Sequence, residues 1–248
     1  MTLVYEAPLD TNVDKLHVNV ALVGPPKTGK TAGAASAPGP VLFLNAELLN
    51  RTRYARRRHG DKIRLVQVQG EQTLIDAMHE VYKGEVETVV VDSIGELRDL
   101  LLKEASSGNG GKMKNVPTLE QYRDIGDTIG RFCTALCKAD VNAIFVFHSE
   151  YMKDERTGEM VHEAATGASN PKLARKILGM VDIVGFTGTV EQEDGTYRYV
   201  AQLVPAKGRQ GGDGFDCLAN EQGVRELDVS EWIDAILAHE SDNETEQQ

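Results

Sequence analysis

An apolar segment that runs into a glycine-rich turn is the feature that most constrains the fold of this chain. The segment HVNVALV at residues 17–23 is apolar enough to form a buried strand, and GPPKTGKT follows it directly. The spacing Gly24-x-x-x-x-Gly29-Lys30-Thr31 is that of a P-loop, in which backbone N–H groups and a helix N-terminus surround phosphate oxygens. The pattern therefore predicts a strand, a phosphate-binding loop and a helix within an α/β domain.

The loop residues also carry the charges and hydroxyls that this chemistry needs. Lys30 is expected to reach the β- and γ-phosphates of a nucleotide, and the Thr31 hydroxyl is expected to bind Mg²⁺. A chance match in a structural turn is the alternative, but the strand, the loop and the helix follow in the required order. The predicted nucleotide-binding residues are Gly24, Pro25, Pro26, Lys27, Thr28, Gly29, Lys30 and Thr31.

Strand and helix patterns alternate from residue 17 to about residue 187. This alternation predicts βαβ units and a mainly parallel central sheet flanked by helices. After it, DIVGFTGTVEQEDGTYRYVAQLV predicts a C-terminal β-hairpin that turns at Glu193-Asp194-Gly195, and SEWIDAILAH predicts a final helix. We expect an N-terminal extension over 1–16, a single domain over 17–240 and an acidic disordered tail over 241–248.

Two acidic residues end predicted strands near the P-loop strand. Asp92 ends TVVVD, where its carboxylate can hold the Mg²⁺ shell through water. Glu47 ends VLFLNAE, where a carboxylate can orient and deprotonate an attacking water. An apolar strand that ends in Asp is weak evidence by itself, and a surface glutamate that caps a strand is the alternative for Glu47.

The stretches GPPKTGKT, LFLNAE and VVVDSIGEL resemble, in order and rough spacing, the ATPase core of RecA-like recombinases over residues 17 to about 210. The resemblance implies a RecA-like P-loop NTPase core that binds ATP and Mg²⁺, with the glutamate after the second strand as catalytic base. The short chain looks most like phage-encoded, single-domain RecA-like ATPases linked to single-strand annealing and recombination. The sequence has no Asn-Lys-x-Asp pattern for guanine, but the preference for adenine is implied by the resemblance alone.

Three further positions follow from the same resemblance. RecA-type cores place a γ-phosphate-sensing polar residue at the end of the strand after the Mg²⁺ aspartate, and His148 in FVFHSE stands there. RecA itself has glutamine at this point, and a lone histidine at a strand end is often only structural. Lys207 and Arg209 in AKGRQGG resemble the Lys-x-Arg of RadA-type proteins and ring helicases, which reaches the neighbouring subunit's ATP. The resemblance implies a homo-oligomer, ring or filament, with both residues acting in trans, whereas an ordinary basic surface loop is the alternative.

In this family two loops line a channel for single-stranded DNA. Their counterparts here are SSGNGGKMKN and the segment from EYMK to NPK, and glycine-rich flexibility with scattered cations suits contact with a nucleic-acid backbone. The second loop also contains Asp154, Glu155, Glu159 and Glu163, and these acidic residues weaken its match to DNA. The cations in the two loops are Lys112, Lys114, Lys153, Arg156 and Lys172.

The charge of the chain is unevenly distributed. The net charge of −11 argues against indiscriminate nucleic-acid binding, but residues 51–64 contain seven basic side chains against the single Asp61. This cluster is a second candidate for the DNA-binding surface. A solvated helix face, or a contact with an acidic neighbouring subunit, explains it equally well.

Cysteine content and hydropathy bear on the cellular setting. Three cysteines do not form a disulfide framework, and core packing is the expected role of Cys133 and Cys137, which lie four apart on a predicted helix. The N-terminus lacks a basic-then-apolar signal pattern, and no apolar run approaches the roughly 18 residues of a membrane span. We expect a cytoplasmic protein with no membrane partner, in the host cytoplasm if the chain is phage-encoded.

Three functional hypotheses remain open from the sequence. The first is a Mg²⁺-dependent RecA-like ATPase that oligomerises and acts on single-stranded DNA in recombination, annealing or replication, with a possible recombination or replication partner protein. The second is a nucleotide-gated loader or regulatory module with weak turnover. The third is a small-molecule P-loop kinase, although the sequence after residue 150 has no dense arginine run for a lid.

Overall fold

The computed structural model describes residues 16–47, 49–107, 116–153, 158–166, 171–206 and 208–246. The strands in these ranges are β1 (Val20–Gly24), β2 (Val41–Asn45), β3 (Ile63–Gln67), β4 (Thr88–Asp92), β5 (Asn142–Lys153), β6 (Met160–Ala165), β7 (Ile183–Glu191), β8 (Tyr197–Gln202), β9 (Gly212–Asp213) and β10 (Val224–Glu226). The α-helices are α1 (Lys30–Ser36), α2 (Leu49–His59), α3 (Glu71–Tyr82), α4 (Ile94–Ser106), α5 (Leu119–Lys138), α6 (Pro171–Leu178) and α7 (Val229–Glu246).

A parallel core forms the centre of one sheet. Its strands lie in the order β7-β1-β5-β4-β2-β3, and every adjacent pair in this core is parallel. Antiparallel strands extend it, because β8 pairs with β7, β10 pairs with β8 and β6 pairs with β5. The predicted fold class is confirmed: a P-loop α/β core with a mainly parallel sheet, flanking helices, a C-terminal hairpin and a final helix.

Apolar side chains cover both faces of the sheet, which is why β1, β2 and β4 consist mainly of consecutive apolar residues instead of alternating with polar ones. One face packs against α3, α4, α5 and α6, and the fully buried Cys133 belongs to this layer. The other face packs against α1 and α7, where the buried Trp232 donates its indole N–H to the backbone carbonyl of Glu226 at 2.8 Å. The core role predicted for Cys133 is confirmed by this position.

Strand order determines which side chains meet above the sheet. The carboxyl ends of β1, β5, β4 and β2 lie next to one another, and the strand register pairs Gly24 with His148 and Asn45 with Asp92. In open α/β sheets ligands bind outside the carboxyl ends of the strands. The topology therefore brings the P-loop, His148, Asp92 and Glu47 to one edge of the sheet.

The structure differs from the sequence-based expectations in two elements. Strand β5 continues to Lys153 and pairs with β6, so most of the described part of the second predicted DNA-binding loop is an antiparallel hairpin, and Lys172 lies on α6. Helix α7 continues to Glu246, six residues beyond the boundary placed at 240. The Asp228 carboxylate accepts hydrogen bonds from two backbone N–H groups in the first turn of this helix, and extending an existing helix costs little per residue.

Two helices in the described ranges are long enough to be considered as membrane spans. Neither α5 nor α7 contains a sustained apolar stretch of the kind that crosses a bilayer.

A candidate nucleotide-binding site

The P-loop connects β1 to α1 in the conformation that its glycines allow. Gly29 has φ +84°, in the left-handed region that favours glycine, and it precedes the first residue of α1. The buried Lys30 Nζ donates to the backbone carbonyls of Gly24 at 2.8 Å and Pro25 at 2.6 Å. Burial lowers the Lys30 pKa to about 8, against the opposing effect of Asp92 and Glu47. The Lys30 amine thus lies inside the loop, where a bound phosphate group would be within its reach.

A second contact holds the loop against the sheet. Thr28 Oγ1 donates to the Pro25 carbonyl at 2.8 Å and lies 2.6 Å from Thr187 Oγ1 on β7. Thr187 is fully buried, so its hydroxyl fixes the loop to β7. Pro26 and Lys27 are exposed at the outer side of the loop, and Lys27 has φ +66°.

The Mg²⁺ residues predicted from the sequence meet directly. Thr31 Oγ1 donates to Asp92 Oδ2 at 2.7 Å. Burial raises the Asp92 pKa to about 6, against the Thr31 hydrogen bond, which lowers it. The described residues contain no group of three or more His, Cys, Asp or Glu able to hold a metal. One hydroxyl and one carboxylate fit Mg²⁺, which uses few protein oxygens and shares its remaining positions between water and phosphate.

Replacing Asp92 with asparagine is expected to stabilise the nucleotide-free protein at neutral pH. A carboxyl whose pKa is raised binds its proton more tightly in the folded state, so the free energy of unfolding falls as pH rises from about 4 to about 6. Asparagine removes the charge and still accepts the Thr31 hydrogen bond. We expect the Tm difference between variant and parent to be smallest near pH 4 and to reach the order of 5 °C above pH 6.5.

Thermal denaturation across this pH range measures the effect of Asp92→Asn. Asp124→Asn is the control, because Asp124 is an exposed carboxyl on α5. A Tm difference that does not change with pH contradicts the interpretation that the buried charge is its cause.

Glu47 and His148 form a hydrogen-bonded pair at the same edge. His148 Nε2 lies 2.7 Å from Glu47 Oε1. Because an ionised carboxylate can only accept, the proton of this contact belongs to the imidazole. The Glu47 side chain is 8% exposed, whereas that of His148 is 30% exposed. His148 Nδ1 is buried and has no hydrogen-bond partner among the residues that the structure describes.

Side chains from two neighbouring strands fix the backbone of Glu47, which lies two residues beyond the end of β2. Asn45 Nδ2 donates to the Glu47 carbonyl at 2.8 Å, and Gln67 Nε2 donates to it at 3.2 Å. The same Asn45 amide donates to Gln67 Oε1 at 2.7 Å. The carboxylate therefore projects from an ordered turn, although the sequence pattern placed Glu47 within the strand.

Residues of the P-loop line a pocket of about 560 Å³ together with Glu47, Asp92 and His148. Such a volume lies within the range of small-molecule and cofactor sites. Its lining includes three residues that sequence reasoning did not assign to the site: Ala32, Arg58 and Tyr199. Arg58 was one member of a basic cluster, and Tyr199 was one residue of a predicted strand. The described residues that line the pocket are Pro26, Lys27, Gly29, Lys30, Thr31, Ala32, Glu47, Arg58, Asp92, His148 and Tyr199.

Arg209 lies away from the pocket of its own chain. Its guanidinium carbon is 5.3 Å from the centre of the Phe186 ring, and Arg209 is not among the residues that line the pocket. The neighbouring Gly208 carbonyl accepts a 2.7 Å hydrogen bond from the His162 N–H of β6, which holds this turn against the sheet. Lys207 lies outside the described residues, as do Lys112, Lys114 and Arg156 of the predicted DNA-binding loops.

The fold and the site together define a P-loop nucleotide-binding protein of the ATPase type. One pocket, at the carboxyl ends of parallel strands, is lined by a glycine-rich loop, a buried lysine, a hydrogen-bonded hydroxyl–carboxylate pair and a glutamate whose backbone is fixed by hydrogen bonds.

Comparison with known proteins places the chain in a family. A family model described as AAA domain matches residues 17–215. Because this match spans most of the chain, the protein belongs to that AAA-domain family. The part of the sequence resemblance that implied a P-loop ATPase is supported by this match.

A solved structure is also similar to the chain. A KaiC-like protein from the hyperthermophilic archaeon Pyrococcus horikoshii OT3 has 18% sequence identity and a TM-score of 0.45, over 74% of this chain and 76% of that one. No curated protein matches the chain.

Proposed function

We propose that the protein is a Mg²⁺-dependent ATPase that oligomerises and acts on single-stranded DNA in recombination, annealing or replication. The observation that carries the ATPase part is the position of Glu47, hydrogen-bonded to His148 beside Lys30 and the Thr31–Asp92 pair. The DNA and oligomer parts rest on the resemblance to phage-encoded RecA-like ATPases and on the location of the basic side chains.

Hydrolysis assigns a distinct task to each of these residues. Lys30 would exchange its two loop carbonyls for β- and γ-phosphate oxygens, and the loop N–H groups would hold the remaining phosphate charge. Glu47 would accept a proton from the water that attacks the γ-phosphorus as the bond to the β-phosphate oxygen breaks, which gives ADP and phosphate. His148 would orient the glutamate. Bound Mg²⁺, held by Thr31 and Asp92, would neutralise charge on the phosphate oxygens.

The position of Arg209 supports action between subunits. It stacks on Phe186 and does not line the pocket of its own chain. A cation that neutralises charge on the γ-phosphate has to come within contact distance of it. The proposal therefore assigns Arg209, with Lys207, to the ATP of a neighbouring copy in a ring or filament.

The location of the basic side chains supports the proposed contact with DNA. Arg53, Arg56, Arg57 and Arg58 are exposed along α2, and Arg58 reaches the nucleotide pocket. An exposed row of arginines suits phosphate contact. A basic helix that adjoins the nucleotide pocket also provides a physical link between DNA binding and hydrolysis.

Single-stranded DNA is expected to raise the steady-state rate of ATP hydrolysis several-fold, by assembling subunits around a common strand. The stimulation should weaken as salt concentration rises, because release of counterions drives phosphate contacts. Phosphate release, measured with and without an oligonucleotide of mixed sequence at two salt concentrations, tests this. Duplex DNA at the same nucleotide concentration is the control for unspecific charge effects.

A nucleotide-gated loader is the second candidate, and the exposed carboxylates of the β5–β6 hairpin favour it. Glu150 and Glu159 are exposed on this hairpin beside the cation Lys153, a mixture that suits a protein partner better than a DNA backbone. ATP binding with slow hydrolysis that no DNA changes would favour the loader over the recombination ATPase. Transfer of phosphate to a small acceptor would contradict both and support a kinase.

A further inference from the structure

Tyr199 lies directly against the P-loop. It belongs to β8, opposite Thr189 of β7. A Cβ built on Gly29 would lie 2.6 Å from Tyr199 Cγ and 2.8 Å from Cδ1, so only glycine leaves room for the ring. The close approach of the tyrosine and the left-handed φ of Gly29 thus require the same residue type.

The Tyr199 ring nevertheless keeps a large free surface. The residue is 44% exposed, and this surface forms part of the wall of the nucleotide pocket. The phosphate-binding groups of the pocket are polar, and the imidazole of His148 is hydrogen-bonded to Glu47. Among the described residues of the lining, Tyr199 is the one other aromatic side chain.

Two contacts fix the backbone that carries this ring relative to the P-loop helix. The Tyr199 carbonyl accepts a 3.0 Å hydrogen bond from the Leu227 N–H. The Leu227 side chain in turn packs so closely on Gly33 of α1 that a Cβ there would lie 2.6 Å from Leu227 Cγ. A ring that is carried on a fixed backbone and packed on one side against Gly29 is placed to bind a flat ligand on its free surface.

We propose that Tyr199 is the nucleobase-binding wall of the site and that the base of the nucleoside triphosphate stacks on its ring. The proposal rests on the proposed nucleotide-binding function and specifies how the pocket takes the base. Stacking of a base on an aromatic side chain contributes substantially to affinity and accepts any base, since every base has a π-face. Tyr199 therefore favours nucleotides over base-free polyphosphates and does not distinguish adenine from guanine.

A purely structural role for Tyr199 makes a different prediction. If the ring only supports Gly29, its loss would disturb the loop and would weaken every ligand with phosphates. If the ring stacks on the base, its loss would weaken nucleotides alone. Inorganic tripolyphosphate, which lacks a base, separates these two roles.

Titration calorimetry of ADP and of tripolyphosphate, each with Mg²⁺, tests the proposal on the full chain. Tyr199→Ala is expected to weaken ADP binding by about tenfold or more and to change tripolyphosphate binding by less than about twofold. Tyr199→Phe should retain parental affinity for both ligands. Tyr199→Leu keeps an apolar contact with Gly29, so it should fold normally and still lose affinity for ADP. The matched control is Tyr197→Ala, which removes a 64% exposed tyrosine of the same strand that does not line the pocket.

Each other outcome overturns the proposal in a recognisable way. Equal weakening of both ligands by Tyr199→Ala would show that the ring only supports the loop. Parental ADP affinity in Tyr199→Ala and Tyr199→Leu would place the base elsewhere. A parental protein that binds tripolyphosphate as tightly as ADP would overturn the base wall and leave phosphate binding intact. A parental protein that binds neither ligand would overturn the proposed function itself.

Discussion

Glu47→Gln is expected to lower kcat for ATP hydrolysis by about 10²- to 10⁴-fold, the usual contribution of a positioned general base, with little change in the Kd for ATP. The proposed function assigns the proton of the attacking water to this carboxylate, and an amide cannot accept it. Binding should persist because the phosphate-holding groups are Lys30 and the loop N–H groups, which the substitution does not touch.

The Glu47→Gln substitution is expected to remove the proton acceptor and to preserve the other contacts of residue 47. Glutamine has the shape of glutamate, and its amide oxygen can still accept the 2.7 Å hydrogen bond from His148 Nε2. The backbone contacts of Asn45 and Gln67 to residue 47 do not depend on its side chain. A loss of hydrolysis therefore reports the missing proton acceptor rather than a rearranged site.

Single-turnover hydrolysis and nucleotide titration, measured on the same preparations, test the Glu47 prediction. Glu150→Gln is the control, because Glu150 is an exposed carboxylate on β5, the strand that carries His148. Parental kcat in Glu47→Gln would remove Glu47 from the chemistry. A loss of ATP binding parallel to the loss of rate would indicate that Glu47 shapes the pocket instead.

The sequence located the P-loop and Asp92 correctly along the chain because both depend on local order. A P-loop is contiguous, and Asp92 directly follows the apolar residues 89–91 of β4, so the local pattern locates both the loop and Asp92 along the chain. The 2.7 Å contact of Thr31 with Asp92 follows once the two strands share a sheet. The prediction of fold class succeeded for the same reason, since βαβ alternation is visible along the chain.

The remaining features of the site depend on tertiary packing that no local pattern encodes. Arg58 reaches the pocket because α2 packs beside α1, and from the sequence it could not be distinguished from the other arginines of its cluster. Tyr199 reaches the pocket because β8 follows β7 on the far side of β1. The sequence carried one signal: Tyr197 and Tyr199 are two residues apart, so they lie on the same face of the predicted hairpin. What that face packs against is known only once the order of the strands in the sheet is known.

Arg209→Ala is expected to lower kcat by about 10³-fold or more under conditions in which the protein assembles, which is the scale of an arginine that stabilises charge on a transferring phosphoryl group. In its own chain Arg209 contacts Phe186 and does not line the nucleotide pocket, so its effect on hydrolysis requires a second copy. The parental specific activity should rise with protein concentration. That of Arg209→Ala should stay low and flat.

Mixing variants separates action in trans from action within one chain. Glu47→Gln retains Arg209, and Arg209→Ala retains Glu47, so each variant is expected to be inactive by itself. In an assembly of equal parts with head-to-tail interfaces, about one interface in four joins an intact Glu47 to an intact Arg209. The mixture should therefore regain about a quarter of the parental activity. Arg123→Ala, which removes an exposed arginine of α5, is the control for a general loss of positive charge.

Arg58 supplies the competing explanation, because it is the arginine among the described residues that line the pocket of its own chain. If Arg58→Ala abolishes hydrolysis, Arg209→Ala does not, and activity is independent of protein concentration, the neutralising cation is internal and a monomer suffices. If Arg209→Ala is inactive and mixing restores activity, the active site is formed between two copies. Nucleotide binding would then be a property of the single chain and hydrolysis a property of the assembly, which makes any ligand that assembles the subunits an activator.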